Sequence, residues 1–240
     1  MRGASLPAIQ RADIAHVDTW VFDLDYTLYG ADIDVFHQID QRMKEYIARL
    51  LGVSIERAFY LQKRYYRAHG TTLRGLMLHH GINADDFLDY VHDIDHSVLS
   101  PNPELAAVLA ALPGRKVIYT NGSESHAAKV IARLGIAEAF DGIFDIRAGR
   151  YIPKPDPEPY ADMIKSLRVA PGSAAMFEDS FKNLKPAADL GMVTVWVRHT
   201  EHVPGPHDDT SHCRFATDDV VGWLEEAVVA LGIGIQRAAP

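Results

Sequence analysis

Cysteine and positive charge are both scarce in this chain of 240 residues, and each scarcity excludes a class of protein. The only cysteine is Cys213, so no intramolecular disulfide can form. Lysine and arginine total 24 against 32 aspartates and glutamates, which gives a net charge of −8. Binding along a nucleic acid polymer needs a basic face, so this balance disfavours it, although a small phosphorylated ligand needs only a local positive site.

Long apolar runs are also missing. No stretch approaches the roughly 20 apolar residues of a membrane-spanning helix, and the first 18 residues contain no apolar run of signal-peptide length. We therefore expect a cytoplasmic protein that does not enter the membrane. Nothing in the sequence points to a protein partner.

The short motifs of two large enzyme classes are absent as well. The chain contains no GxxxxGK[ST] phosphate-binding loop and no GxSxG nucleophile elbow. These absences exclude P-loop nucleotide hydrolysis and the common form of serine hydrolase.

The regular pattern that is present is an alternation of strands and helices. A first apolar strand is predicted over Val17–Leu24, and after residue 100 short apolar strands alternate with helices. This alternation predicts an α/β fold, a three-layer Rossmann-like core with a parallel sheet covered on both faces. The later strands are predicted over Lys116–Thr120, Ile143–Asp145, Ala174–Glu178, Val193–Val197 and Arg214–Thr217, and the helices over Ser123–Leu134, Pro157–Leu167, Phe181–Leu190 and Asp218–Leu231.

Residues 32–99 differ from the rest because they show helical periodicity and no convincing strand. We expect an all-helical cap over residues 32–99, inserted after the first strand into a core of residues 1–31 and 100–240. An insertion there lies near the carboxyl ends of the strands, where open α/β sheets bind ligands. Its helices are predicted from about Ile39 to Leu51 and over Ile55–His69, Thr72–His80 and Ala84–Tyr90.

Four short polar groups each follow a predicted strand. Because parallel strands end at one edge of the sheet, we expect these groups to converge. Their acidic oxygens suit a hard cation such as Mg²⁺, and a lysine with small donors suits a phosphoryl group, so together they indicate phosphoryl transfer. Each group alone is an ordinary turn or cap signal, and the prediction depends on all four together. The groups are Asp23–Thr27, Thr120–Gly122, Lys154-Pro155 and Glu178–Ser180.

These motifs, in this order, resemble the haloacid dehalogenase superfamily of aspartate-dependent phosphohydrolases. Its DxDxT group stands here as Asp23-Leu24-Asp25-Tyr26-Thr27, and the resemblance runs from about Val17 to Leu231. The resemblance implies that Asp23 is the nucleophile and that Asp25 protonates the leaving oxygen and then activates water. It further implies that Lys154 neutralises charge, and that the phosphoryl oxygens are held by Thr120, Asn121 and Gly122.

The same resemblance implies a Mg²⁺ cofactor. Its ligands would be Asp23, Asp179 and Asp25, the last through its backbone carbonyl, with Glu178 bound directly or through water. Many relatives carry a further aspartate where this chain has Asn183. An asparagine can orient the lysine or a metal-bound water but adds no charge, so its role stays open.

The cap is expected to set substrate specificity by closing over the site. Within it, Arg74 lies in the first turn of a predicted helix, where a positive charge opposes the helix dipole. This placement is explained if Arg74 meets a phosphate, a carboxylate or a base edge, or if it pairs with a neighbouring acid. The block around Thr72 and Arg74 resembles the pyrimidine 5′-nucleotidase branch, which implies a nucleoside monophosphate as the small phosphorylated substrate.

Other functions remain open from the sequence. The chain is compatible with a phosphoglycolate or sugar-phosphate phosphatase, a sugar-phosphate mutase, or a phosphate-binding protein without turnover. A dehalogenase is disfavoured because Asp25 supplies an acid that halide displacement does not need. Finally, His92 and His96 are one helical turn apart, which permits a metal site, but no third ligand is evident and solvated or capping roles are favoured.

Overall fold

The computed structural model describes residues 9–199 and 203–235. Residues 1–8, 200–202 and 236–240, which the sequence assigns to the core, lie outside the described residues. No helix in the described part of the chain combines the length and apolarity that crossing a membrane requires.

A single sheet of six parallel strands forms the middle of the protein. The strands are β1 (Thr19–Phe22), β2 (Arg115–Tyr119), β3 (Gly142–Phe144), β4 (Ala174–Glu178), β5 (Val193–Val197) and β6 (Phe215–Thr217). They lie in the order β3-β2-β1-β4-β5-β6, and each neighbouring pair is parallel. Every residue of β1 and β4 is buried, as expected of central strands covered on both faces. The α/β fold predicted from the sequence is confirmed.

Helices cover both faces of this sheet. The described residues contain ten α-helices: α1 (Arg11–Ile14), α2 (Val35–Leu51), α3 (Ile55–His69), α4 (Thr72–His80), α5 (Ala84–Val91), α6 (Pro103–Ala111), α7 (Glu124–Leu134), α8 (Pro157–Leu167), α9 (Phe181–Asp189) and α10 (Val220–Ala230). Successive residues of β1 point to opposite faces. Trp20 and Phe22 pack in the cluster that includes α6, α7 and α10, and Val21 packs in the cluster that includes α8 and α9.

Four helices, α2 to α5, lie between β1 and β2 with no strand among them. The sequence defines their ends: Ser54, Thr71 and Asn83 accept backbone hydrogen bonds at helix starts, and Gly52 and Gly81 end helices in the left-handed conformation. Helices α3 and α4 approach closely. A Cβ added at Gly75 would lie 2.3 Å from the Cβ of Tyr65, so only glycine permits this packing.

The sheet register places the motif residues at one edge. Phe22, the last residue of β1, is level with Ile118 of β2 and Phe177 of β4. The chain therefore leaves these three strands at nearly the same height, so Asp23 emerges between Tyr119 and Glu178.

Candidate active site

Asp23 lies at the end of β1, where the sheet still holds its backbone. Its N–H donates to the carbonyl of Phe177 at 2.9 Å, which extends the pairing of β1 with β4 by one residue. The side chain is buried, with 6% of its surface exposed. One carboxylate oxygen accepts from Lys154 Nζ at 2.7 Å and the other from the Thr27 hydroxyl at 3.4 Å. The sheet thus fixes this carboxylate at the edge predicted from the sequence.

Lys154 reaches the same point from the loop between β3 and α8. Its Nζ donates to Asp23 at 2.7 Å, to Glu178 at 2.6 Å and to the carbonyl of Tyr119 at 2.9 Å. Burial alone would lower the pKa of Lys154, but the two carboxylates outweigh it and raise the pKa, so the ammonium group stays charged. The side chain of Asn121 brackets the backbone of Lys154, accepting from its N–H at 2.9 Å and donating to its carbonyl at 3.4 Å.

Glu178 is fully buried and its carboxylate is held on both sides. One oxygen accepts from Lys154 at 2.6 Å. The other accepts from the backbone N–H of Ser180 at 3.2 Å and from Asn183 Nδ2 at 3.1 Å. Asn183, whose role the sequence left open, therefore orients Glu178, and Glu178 in turn orients Lys154.

Three carboxylates are close enough to share a metal ion. Asp23, Glu178 and Asp179 are buried, and one oxygen of each lies within 4.8 Å of the others. Burial raises the pKa of Asp23 to about 7, against the opposing effect of Lys154 and with the help of the nearby Asp179 charge. A divalent cation would relieve this repulsion, and a set of carboxylate oxygens suits Mg²⁺. The residues therefore fit the cofactor that the resemblance implies.

Asp25 lies beside this group rather than within it. The strand ends at Phe22, and Tyr26 has a positive φ of 63°, so the chain turns instead of staying extended. The Asp25 carboxylate is not part of the three-carboxylate group, so a metal contact at this residue would use the backbone carbonyl. One of its oxygens accepts from the hydroxyl of Tyr29 and from His126 Nε2, the latter at 3.0 Å.

Sequence reasoning missed both of these partners. His126 is completely buried and lies 101 positions from Asp25 along the chain. Burial would raise the pKa of Asp25, but the charge of His126 and the hydrogen bonds from His126 and Tyr29 outweigh it and lower the pKa. A single histidine in the first turn of a helix carries no sequence signal for this contact.

The turn after β2 completes the wall beside Asp25. Thr120 is buried and its hydroxyl oxygen accepts from the N–H of Gly122 at 2.9 Å. A Cβ added at Gly122 would lie 3.3 Å from that oxygen, 3.5 Å from the ring of His126 and 3.7 Å from Asp25 Oδ2. A small residue here therefore preserves the space in front of Asp25.

The cap residues selected from the sequence differ in placement. Thr72 is buried and its hydroxyl donates to the carbonyl of Gln62 at 3.4 Å, so it contributes to the packing of α4 on α3. The assignment of Thr72 to substrate binding stays a prediction. For Arg74, the backbone N–H donates to Thr71, and the structure gives its guanidinium no ion pair among the described residues.

The corner between α3 and α4 lies against the loop that carries Lys154. A Cβ added at Gly70 would lie 3.1 Å from Pro153 and 3.4 Å from the carbonyl oxygen of Lys154. One turn earlier on α3, burial and the charge of Asp179 raise the pKa of Tyr66 to about 12. The end of α3 therefore lies near the carboxylates of Asp179 and Glu178.

Comparisons with known proteins identify the family to which the chain is similar. The family model for haloacid dehalogenase-like hydrolases matches residues 17–191. Phosphate metabolism protein 8 of Saccharomyces cerevisiae is 30% identical over 189 residues, which cover 71% of this chain and 58% of that protein. The chain thus spans less than two thirds of that relative.

Two solved structures show the same fold at low sequence identity. CbbY from Rhodobacter sphaeroides in complex with phosphate has a TM-score of 0.62 and 18% identity, covering 90% of this chain and 99% of its own. The L-2-haloacid dehalogenase RSc1362 has a TM-score of 0.57 and 18% identity, covering 88% and 98%. At 18% identity these two structures support the fold alone and do not identify the reaction. The family model matches most of the chain, and this match shows that the protein belongs to the haloacid dehalogenase-like hydrolases.

Proposed function

We propose that the protein is a Mg²⁺-dependent phosphatase that hydrolyses small phosphomonoesters through an aspartyl-phosphate at Asp23. The observation that carries this proposal is the ion pair between buried Asp23 and buried Lys154, with Glu178 and Asp179 beside it. A carboxylate can attack a phosphate dianion only where positive charge offsets their repulsion. Lys154 supplies one such positive charge, and the cluster of three carboxylates is suited to hold a metal cation that supplies another.

The proposed reaction has two steps that share the same residues. In the first, Asp23 attacks phosphorus, the bond to the leaving oxygen breaks, and Asp25 donates a proton to that oxygen, which departs as an alcohol. In the second, Asp25 takes a proton from water as the water attacks phosphorus, and inorganic phosphate leaves the regenerated Asp23 carboxylate. Mg²⁺ held by Asp23, Asp179 and Glu178, the last directly or through water, would supply charge neutralisation.

Metal binding should be visible without any substrate. Mg²⁺ at about 100 times its dissociation constant stabilises a protein by about 2.7 kcal/mol, which for a chain of this size raises the Tm by roughly 5–10 °C. We expect this increase in Tm when Mg²⁺ is added to wild-type protein that has been stripped of metal with EDTA. The increase should be absent in Asp179→Asn. The matched control is Asp189→Asn, an exposed aspartate of α9 whose side chain is 62% accessible. Equal thermal unfolding of the wild type with and without Mg²⁺ would contradict the metal assignment.

We further propose that the substrate is a pyrimidine nucleoside monophosphate. The support is the position of the α3–α4 corner beside Lys154 and the presence of Arg74 in the first turn of α4, next to that corner. A site built on hydrogen bonds rejects ligands that leave its polar groups unpaired. UMP and CMP should therefore be hydrolysed faster than AMP, GMP or phosphoglycolate in an assay of released phosphate.

A single cap variant sharpens this test. Arg74→Ala should raise the KM for UMP about tenfold, since a hydrogen bond to a charged group contributes roughly 1.5–3 kcal/mol, and should affect p-nitrophenyl phosphate much less. Arg57→Ala, at the opposite end of α3, is the control and should leave both unchanged. Equal losses on both substrates would assign Arg74 to the phosphate or to the fold.

The same substrates, with a sugar phosphate and L-2-chloropropionate added, separate the alternatives. Phosphoglycolate hydrolysis without nucleotide hydrolysis would replace the substrate assignment and retain the phosphatase. A bisphosphorylated product from a sugar phosphate would indicate a mutase. Chloride release from L-2-chloropropionate without phosphate release from any ester would indicate a dehalogenase.

A further inference from the structure

Three buried histidines form a cluster, and one of them, His126, contacts Asp25. His126, on α7, is completely buried, and His92 and His96 are 7% and 8% exposed. The Nε2 atom of His126 lies 3.0 Å from Asp25 Oδ1, and its Nδ1 atom lies 3.0 Å from His96 Nε2. Its ring stacks on that of His92 with the centroids 4.6 Å apart and the planes 8° from parallel. The phosphatase chemistry proposed above leaves this cluster without a role.

The hydrogen-bond partners determine how His126 is oriented. His96 Nδ1 lies 3.2 Å from the carbonyl oxygen of Ile94, which can only accept, so this nitrogen carries a proton. His126 Nδ1 and His96 Nε2 lie 3.0 Å apart, so one of these nitrogens donates to the other. Turning the His126 ring over would break this bond, so Nε2 stays directed at Asp25.

The two oxygens of Asp25 are consequently not equivalent. Oδ1 is held by Tyr29 and His126. Oδ2 has no hydrogen-bond partner among the described residues and lies on the side of Gly122, where a Cβ would be 3.7 Å away. The carboxylate is thus anchored at one oxygen and open at the other, as a group that exchanges protons with a ligand requires.

The histidine cluster also connects the cap to the core. His92 ends α5, and His96 belongs to the short 3₁₀ turn His96–Val98 on the way back to the core. His92 Nδ1 lies 2.8 Å from the hydroxyl of Ser123, which caps α7. The segment that returns from the cap therefore contacts the helix that carries His126.

We propose that His126 is a positioning residue that holds Asp25 for proton transfer to the leaving oxygen, with His96 fixing His126 from behind. The inference rests on the proposed phosphatase function. A metal site at these histidines is disfavoured. In the described ranges, the only cluster of three or more potential metal ligands is that of Asp23, Glu178 and Asp179. The remaining alternative is that the histidines only fill space.

Leaving-group dependence distinguishes positioning from packing. Phenyl phosphate and p-nitrophenyl phosphate differ little in shape, but p-nitrophenolate departs without protonation whereas phenolate, with a conjugate-acid pKa of about 10, benefits from an acid. The quantity to measure is kcat/KM, because it reports the steps up to the first irreversible one. His126→Leu should lower kcat/KM for phenyl phosphate about 10²-fold, the loss typical of a misplaced catalytic group, and lower that for p-nitrophenyl phosphate less than about threefold.

Two further variants separate the hydrogen bond from the volume. His126→Gln keeps an N–H donor toward Asp25 and should recover most of the activity on phenyl phosphate. His92→Phe keeps the stacked ring but makes no bond to Asp25, and it should retain the wild-type ratio between the two substrates. Inhibition by inorganic phosphate should be unchanged in all three variants, because the phosphoryl site is not altered. If His126→Leu does not fold, His96→Leu takes its place in the comparison with His126→Gln. His96→Leu should shift the ratio of kcat/KM between the two substrates in the direction expected for His126→Leu, by a smaller factor.

Each outcome bears on a different claim. An equal loss on both substrates, or no rescue by glutamine, would overturn the positioning role and leave the phosphatase standing. A wild type that releases phosphate neither from the aryl phosphates nor from UMP would overturn the proposed function and this inference with it.

Discussion

Asp23→Asn is expected to reduce phosphate release to below about a hundredth of the wild-type rate, since it removes the nucleophile itself. The amide retains the shape of the carboxylate and an oxygen that can accept from Lys154, so the site should stay assembled. The measurement is steady-state phosphate release from p-nitrophenyl phosphate and from UMP, with Mg²⁺ present.

Thermal unfolding of the same variant provides the control. Burial raises the pKa of Asp23 to about 7, above its ordinary value of 3.8. Stability therefore falls as pH rises between these two values, and at pH 8 the ionised carboxylate is destabilising. Without a divalent cation, Asp23→Asn should unfold at the wild-type Tm or slightly above it. A folded variant that retains more than about a hundredth of the activity would contradict the covalent mechanism.

Lys154→Met should damage both turnover and stability. Removing the ammonium group leaves Asp23 and Glu178 facing each other in a buried site, and breaking a buried ion pair from one side costs about 3–5 kcal/mol. For a chain of this size the Tm should fall by roughly 10 °C, and phosphate release should become undetectable. Both are measured on the same preparation, by thermal unfolding and by the phosphate assay.

A second lysine gives the matched comparison. Lys182→Met removes an exposed ammonium of α9 that lies 3.6 Å from Asp208, and an exposed pair contributes about 0–1 kcal/mol. This variant should unfold and turn over as the wild type does. If Lys154→Met also behaved as the wild type, the buried triad of lysine and two carboxylates would not be the centre of the site.

The sheet was predictable where apolar runs have sharp ends. Strands β4 and β5 occupy the predicted residues, because each is a short, mostly apolar segment with a sharp change to polar or turn-forming residues at its ends. The first strand was predicted as Val17–Leu24, but only Thr19–Phe22 forms it. The apolar residues at its ends are buried without strand pairing, and burial alone does not distinguish a strand from the loops that pack beside it.

The candidate site was predictable to the extent that it follows from topology. Parallel strands end at one edge, so Asp23, Lys154 and Glu178 meet there as the motif order indicates. The contact of His126 with Asp25 arises from how α7 packs, which no local pattern encodes. Thr72 shows the opposite case, since a threonine that begins a helix can direct its hydroxyl to a neighbouring helix as well as to a ligand.

The covalent intermediate is the most direct test of the account. In Asp25→Asn, p-nitrophenolate can still depart without an acid, whereas hydrolysis of the aspartyl-phosphate should slow by roughly 10²–10⁴-fold, so the intermediate should accumulate. The protein is mixed with p-nitrophenyl phosphate and Mg²⁺, quenched in acid, digested and examined by peptide mass spectrometry. The expected result is one phosphoryl group on the peptide containing Asp23, absent from Asp23→Asn. Turnover by the wild type with the phosphoryl group on another residue, or on none, would contradict it.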